Sequence, residues 1–84
     1  MNPDLVREIQ GIFVETFELE PKLVTPNARL NEDLGLDSLD AVDLIVAIEK
    51  RYGITVDDKA AKQLRRVEDV ASYVATLIAS NSPR

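Results

Sequence analysis

One serine of this chain lies in a setting that favours chemistry on its hydroxyl group. Ser38 lies between Asp37 and Leu39 in the segment DLGLDSLD, where an acidic turn gives way to an apolar helical stretch. Because aspartate is a strong N-cap, we expect Asp37 to begin a helix and to leave the Ser38 hydroxyl exposed in the first turn. Free backbone N–H groups and the positive end of the helix dipole favour a negatively charged group there. The pattern indicates a place where a phosphodiester can be attached.

The rest of the sequence predicts the elements that position this serine. The 84 residues fit a single domain, residues 1–84, in which residues 1–2 and 80–84 are expected to be flexible ends. Hydrophobic residues make up 45% of the chain, aromatic residues only 5%, and tryptophan is absent. A core of leucine, valine, isoleucine and alanine suits packed helices, so we predict an all-α bundle.

A first helix and a long loop are predicted before Ser38. Asn2 as cap and Pro3 as first residue begin the helix, which is expected to end near Glu18. Its buried stripe is expected to consist of Leu5, Ile9, Ile12, Phe13 and Phe17. From residue 19 to residue 37 the helical periodicity lapses. A loop of this length needs anchors in the core, and we expect these to be Leu23, Val24, Leu30, Leu34 and Leu36.

A second helix is predicted from Ser38 to Tyr52, with Gly53 as its C-terminal stop. Its core-facing residues follow helical spacing and are Ala41, Leu44, Ile45, Ile48 and Tyr52. A second stripe, which begins beside Ser38, consists of Leu39, Val42, Asp43, Val46, Glu49 and Lys50. Because this stripe mixes aliphatic and charged side chains, it is more typical of a docking surface than of a helix buried on every side.

Two further helices are predicted in the C-terminal part of the chain. Residues 53–56 cross between elements, and Asp57 or Asp58 then caps a short helix that ends near Gln63. The buried side of the last helix is expected to hold Val67, Val70, Ala71, Val74, Leu77 and Ile78. Arg66 occupies the expected cap position of that helix. Since an arginine side chain cannot accept a hydrogen bond, we predict a weak cap there, offset in part by Glu68 and Asp69.

The charge distribution bears on location and partners. The net charge is −5; residues 1–49 hold three basic and eleven acidic side chains, and residues 50–84 hold seven basic and four acidic ones. A negative net charge disfavours nucleic acid as a partner. No stretch approaches the ~20 apolar residues needed to span a bilayer. The N-terminus lacks the basic-then-apolar order of a signal peptide, so we expect a cytoplasmic protein.

The segment DLGLDSLD and the apolar, acidic helix after it closely resemble the phosphopantetheine attachment site of acyl carrier proteins. The resemblance extends over nearly the whole chain. It implies a four-helix bundle with a short third helix and a long ordered loop between helices one and two. It also implies that Ser38, flanked by Asp37 and Leu39, carries a covalent 4'-phosphopantetheine arm. Such a protein is not an enzyme: it carries acyl intermediates of fatty acid, related lipid or polyketide synthesis as thioesters.

The resemblance further implies a set of partner-binding residues, which are Leu39, Asp40, Val42, Asp43, Val46 and Glu49. Their acidic and aliphatic character suits fast, weak, electrostatically steered encounters with basic patches on enzymes. The implied partners of this monomer are a phosphopantetheinyl transferase and acyl-loading, condensing, reducing and acyltransferase enzymes.

One group of residues departs from the pattern of bacterial fatty-acid carriers, whose second and third helices are usually richly acidic. Here that region holds the basic residues Lys50, Arg51, Lys59, Lys62, Arg65 and Arg66. These residues either soften repulsion within an acidic protein or select partners, by repelling basic patches or by attracting acidic ones. The sequence leaves both interpretations open.

Three other functions compete with the carrier hypothesis. A serine hydrolase is disfavoured because the chain has no histidine to act as a base, and the absence of cysteine as well leaves no Cys/His zinc site. An EF-hand-like calcium loop is suggested by Asn31, Asp33, Gly35 and Asp37, but its sixth and twelfth positions hold Leu36 and Val42 instead of glycine and glutamate. An interaction module that never carries a prosthetic group would leave Ser38 an ordinary first-turn residue.

Overall fold

The computed structural model describes residues 3–80. Within this range the chain forms four α-helices and no β-strand: α1 (Pro3–Phe17), α2 (Ser38–Tyr52), α3 (Asp58–Ala61) and α4 (Val67–Ser80). Helix α1 packs against both α2 and α4. The predicted all-α bundle, with its short third helix and its long loop between α1 and α2, is confirmed. The predicted cap Asn2 and the expected flexible ends, apart from Ser80 at the end of α4, lie outside the described residues.

The core lies where α1, α2, α4 and the long loop meet. Its largest fully buried side chains are Ile9, Phe13, Val24, Val67, Val70 and Val74. The predicted stripe of α1 is confirmed, with Leu5 also buried and with Ile12 and Phe17 packed against the edge of the core. In α4 the prediction fails at Ile78, which is 36% exposed because the core ends near Val74.

None of the helices in residues 3–80 is long and apolar enough to cross a membrane.

The long loop is ordered by its apolar side chains, as predicted. Val24, Leu34 and Leu36 are buried, and Leu30 packs against the core. The loop also contains a 3₁₀ helix, Pro21–Leu23, that the sequence pattern did not predict. The prediction for Leu23 is wrong, since this side chain is 50% exposed and the next residue, Val24, takes the buried position.

The loop also satisfies the first backbone donors of α4. The Val67 N–H donates to the Ala28 carbonyl at 3.1 Å, and the Glu68 N–H donates to the Pro26 carbonyl at 2.9 Å. The first N–H groups of a helix have no partner within the helix itself. These two bonds therefore remove much of the need for a capping side chain, and they hold the loop against the start of α4.

The Asp69 side chain satisfies further backbone donors at the start of α4. The Asp69 carboxylate oxygen Oδ2 accepts hydrogen bonds from the backbone N–H groups of Arg65 at 3.2 Å and Arg66 at 3.0 Å. The Asp69 N–H itself donates to the Arg66 carbonyl at 3.0 Å. The predicted weak cap at Arg66 is therefore wrong, because the donors that a serine or threonine side chain would satisfy already have partners.

Helix α3 is shorter than predicted. Its N-cap is Asp57, whose Oδ1 accepts a hydrogen bond from the Lys59 N–H at 3.0 Å. The helix ends at Ala61, and the chain continues as a turn in which the Gln63 N–H donates to the Ala60 carbonyl. Ile54 and Val56, which lie between α2 and α3, are buried. Their burial explains why this crossing segment lies against the core.

Helices α1 and α2 are also joined by polar side chains at the end of α2. The Tyr52 hydroxyl donates a hydrogen bond to Oε1 of Glu8 at 3.0 Å. Burial, with help from this bond, raises the pKa of Tyr52 to about 12. The Arg51 guanidinium lies 3.9 Å from the same Glu8 oxygen, so this cation, one of the basic group, is partly engaged within the bundle.

Candidate functional site

Two aspartates build the start of α2. The Asp37 oxygen Oδ1 accepts hydrogen bonds from the backbone N–H groups of Leu39 and Asp40, both at 3.0 Å. The Asp40 oxygen Oδ2 accepts in return from the Asp37 N–H at 3.1 Å, which completes a capping box. Gly53 ends the helix in the left-handed conformation, with φ of 64°. Both predicted ends of α2 are confirmed.

Ser38 is the first residue of α2 and is exposed. Its hydroxyl makes no hydrogen bond in the part of the chain that the structure describes. The expectation of several free N–H groups around it is wrong, because those of Leu39 and Asp40 already donate to Asp37. What remains available to an anionic substituent is the Ser38 N–H, which makes no hydrogen bond within residues 3–80, and the positive end of the helix dipole.

A groove with a volume of about 1010 Å³ opens beside Ser38. It lies between α2 on one side and α3 with the start of α4 on the other. Apolar side chains form much of its lining: Leu36, Val42, Ile45, Val46, Leu64 and Val70. Four cations also line it: Arg29 in the long loop, and Lys62, Arg65 and Arg66 in the segment between α3 and α4. A smaller depression of about 440 Å³ between α3 and α4 does not include Ser38.

Three apolar side chains of α2 are left exposed beside the serine. Leu39 is 76% exposed, Val42 55% and Val46 42%. The opposite side of the helix is turned to the core, with Leu44 and Ile48 buried and Ala41, Ile45 and Tyr52 partly buried. The helix thus has the two faces that its sequence predicts. An apolar patch that stays exposed is typical of an interaction site.

Residues 7–74 match the family model described as the phosphopantetheine attachment site. The chain belongs to the acyl carrier protein family. It is 32% identical to the acyl carrier protein of Thermosynechococcus vestitus, over 92% of this chain and 95% of that protein. Identity to the acyl carrier protein of Campylobacter hominis is 35%, over 88% and 94% of the two chains. Identity to that of Helicobacter pylori strain G27 is 39%, over 83% and 90%.

Acyl carrier proteins are carriers and not enzymes, and this holds for the chain as a member of the family. The prosthetic group of the family is 4'-phosphopantetheine, bound covalently. An exposed serine hydroxyl at a helix N-terminus, beside an open groove, fits such a group because both the hydroxyl and the space next to it are accessible.

The three carboxylates predicted to face partner enzymes differ in their surroundings in this carrier. Asp43 is exposed, and within residues 3–80 its carboxylate makes no hydrogen bond or ion pair. Asp40 belongs to the capping box. The Glu49 oxygen Oε2 accepts a hydrogen bond from the Val56 N–H at 2.9 Å and so ties α2 to the segment before α3. No sequence pattern indicates this bond, because the two residues are brought together only by the fold.

The side chains that suggested a calcium loop are occupied with the backbone and with Arg29. Asn31 Nδ2 donates to the Leu36 carbonyl at 3.1 Å. Asp33 accepts from the backbone N–H of Arg29 at 2.7 Å, and this bond, with that from the Arg29 side chain, lowers the pKa of Asp33. Asp37 is engaged in the cap. In the described residues, no group of three or more metal-ligating side chains is arranged to hold an ion.

Proposed function

We propose that this carrier holds its 4'-phosphopantetheine arm on the Ser38 Oγ atom. When bound, the arm supplies a thiol that carries acyl groups as thioesters. The observation that supports the assignment is the exposed, unbonded hydroxyl of Ser38 at the start of α2, inside the segment that resembles the family's attachment site. Asp37 and Leu39 flank it, and Asp37 fixes its position through the capping bonds.

The residues around Ser38 have separate roles in this proposal. The capping box holds the first turn of α2 rigid, so the attachment point has a fixed direction. The helix dipole favours the negative charge of a phosphodiester at this end. The carboxylates of Asp37 and Asp40 repel the negative charge of the phosphodiester. This repulsion keeps an attached group turned toward solvent instead of folded onto the start of the helix. The groove beside Ser38 offers apolar surface for an acyl chain.

The proposed docking surface for partner enzymes is the exposed side of α2. Leu39, Val42 and Val46 provide apolar contact, and Asp43 provides a free negative charge. Asp40 and Glu49 add negative charge from positions that are also structural. We assign as partners a phosphopantetheinyl transferase and acyl-loading, condensing, reducing and acyltransferase enzymes. The chain acts as a monomeric, single carrier domain in the cytoplasm, in fatty acid or related lipid or polyketide synthesis.

A mass measurement tests the attachment site. The unmodified protein is incubated with a phosphopantetheinyl transferase and coenzyme A, and its mass is expected to rise by one phosphopantetheine group. Ser38→Ala is expected to show no mass gain and to keep its fold, because Asp37 still caps α2. Ser72→Ala is the matched control, since Ser72 is also exposed on a helix but lies in the middle of α4. Modification that persists in Ser38→Ala would contradict the assignment.

A further inference from the structure

The groove beside Ser38 separates two walls of different charge. On the α2 wall lie Ser38, Val42 and Val46, next to the free carboxylate of Asp43. Residues 58–66, which form the opposite wall, contain four basic side chains and one acidic one. The side chains of Lys62 and Arg65 on this wall are exposed and border the groove. We refer to these two residues as the cationic rim.

The cationic rim is not neutralised within the bundle. Neither Lys62 nor Arg65 has an ion-pair partner in the stretch from residue 3 to residue 80. Arg51, another member of the basic group, lies 3.9 Å from a Glu8 oxygen and is partly engaged. The pKa of Asp33 is lowered mainly by the hydrogen bonds and the charge of Arg29. The positive charge of Arg66 lowers it to a smaller extent. The rim charges are therefore available to another molecule.

The carboxylates that border the same groove are mostly held in place. Glu49 accepts from the Val56 N–H, and Asp69 accepts from the N–H groups of Arg65 and Arg66. Glu32 lies 2.6 Å from the Arg29 guanidinium. Asp58 also lines the groove and weakens the positive field of α3. Glu49 and Asp69 thus bond to the backbone and Glu32 pairs with Arg29, whereas the exposed side chains of Lys62 and Arg65 have no such partner within residues 3–80.

We propose that the cationic rim is the second half of the docking surface and contacts acidic side chains on the enzymes that load or unload Ser38. This inference rests on the attachment proposed for Ser38. An enzyme that reaches Ser38 over Leu39, Val42 and Val46 also comes to lie over the opening of the groove, where the rim is. A partner with basic residues opposite α2 and acidic residues opposite α3 is attracted at both places, whereas a uniformly basic patch is repelled by the rim.

The test is a charge reversal with a matched control. The variant carries Lys62→Glu and Arg65→Glu, and the control carries Arg7→Glu and Lys22→Glu, which change the net charge equally. Both control residues are exposed, and neither borders the groove. Because an extra negative charge alone alters association with any charged enzyme, only the difference between the two variants reports on the rim.

The measured quantity is kcat/KM of a condensing enzyme from the same genome, with the acyl-loaded carrier as substrate. The rim variant is expected to lose about tenfold relative to the control at low ionic strength, and the gap is expected to narrow as salt rises. Equal values for the two variants, or a gain for the rim variant, would overturn the proposal. A loss that appears only with acyl groups bearing a free carboxylate would also overturn it, because the rim would then hold the cargo and not the enzyme.

Two further measurements keep the outcome interpretable. Mass gain with the transferase and coenzyme A is measured first for wild type, and its absence there would refute attachment at Ser38 itself. Unchanged condensing activity in a rim variant that is fully modified would refute the role of the cationic rim in docking and leave the attachment at Ser38 intact. If the reversal unfolds the protein, the neutral pair Lys62→Gln and Arg65→Gln replaces it, with a smaller expected loss in the same direction.

Discussion

Asp37 and Asp40 hold each other at the start of α2. Asp37 Oδ1 accepts from the Asp40 N–H at 3.0 Å, while Asp40 Oδ2 accepts from the Asp37 N–H at 3.1 Å. The arrangement is a capping box in which aspartate occupies both positions. A carboxylate that the sequence assigns to partner binding thus also begins the helix that presents Ser38. Asp43, three residues further on, has no such bond.

The first prediction separates these two aspartates. Asp40→Lys is expected to lower the free energy of unfolding by about 1 kcal/mol, because it removes one half of the capping box. Asp43→Lys changes the charge equally and is expected to stay within about 0.5 kcal/mol of wild type. Urea denaturation measures both values. Asp40→Asn is the control, since its amide oxygen can still accept from Asp37.

Asp43→Lys is also expected to slow phosphopantetheine transfer at low salt, with the difference from wild type narrowing as salt rises. The physical reason is that an exposed charge contributes to steering more than to stability. Transfer rates that match wild type at every ionic strength would leave this carboxylate a solvated surface group.

The bounds of α2 were predictable because their determinants are local. An aspartate cap before Ser38 and a glycine after Tyr52 act within a few residues, and the structure begins and ends the helix where they predict. The exposed stripe beside Ser38 was predictable for the same reason. Its helical spacing distinguishes it from the core-facing stripe that includes Leu44 and Ile48.

Most of the errors concern contacts that only the folded chain creates. Asp69 caps the start of α4 by accepting from the backbone ahead of it, while loop carbonyls accept from Val67 and Glu68. The bond from the Arg66 N–H to Asp69 has the three-residue spacing of half a capping box and was predictable, whereas no sequence pattern indicates the bonds to the loop carbonyls. The exposed position of Leu23 likewise depends on a 3₁₀ turn, a short element with a weak sequence signal. Local sequence patterns therefore predicted the helix that presents Ser38 better than the contacts of the long loop and of the start of α4.

The second prediction concerns the start of α4. Asp69→Ala is expected to lower the free energy of unfolding by about 1–2 kcal/mol, because the N–H groups of Arg65 and Arg66 lose a charged acceptor. Arg66→Thr is expected to change it by no more than about 0.5 kcal/mol, since the donors it could cap are already bonded. Thermal or urea unfolding measures the free energy of unfolding of both variants. Marked stabilisation by Arg66→Thr would show that a free donor remains.

The third prediction concerns acid stability at Asp33. Hydrogen bonds from Arg29 lower the pKa of Asp33 in the folded state. A lowered folded-state pKa means that the stabilisation is present above the ordinary aspartate pKa and is lost as pH falls through the lowered value. Asp33→Asn is therefore expected to be less stable than wild type at neutral pH, with the difference shrinking in acid. Urea midpoints measured across that range give the result; a difference independent of pH would contradict the assignment.

The fourth prediction uses a backbone conformation at the end of α1. Glu18 has a φ of 52°, in the left-handed region that glycine adopts without strain. Glu18→Gly is expected to raise the free energy of unfolding by about 0.5–1 kcal/mol. Glu20, with a φ of −70°, is the control: Glu20→Gly adds freedom to the unfolded chain without relieving strain and is expected to destabilise. Equal effects at the two positions would argue against the strained conformation.

The last prediction separates charge from hydrogen bonding at Glu49, whose Oε2 accepts from the Val56 N–H. Glu49→Gln removes the charge but keeps an oxygen that can accept, so stability is expected to stay within about 0.5 kcal/mol of wild type. Glu49→Leu removes the acceptor as well, and because Val56 is buried, a loss of about 1–2 kcal/mol is expected. If Glu49 also steers partner enzymes, the two variants will slow acyl transfer equally at low salt, despite their different stabilities. Transfer that falls only in Glu49→Leu would limit Glu49 to its structural bond and leave Asp43 as the freely exposed acid of the predicted partner-binding set.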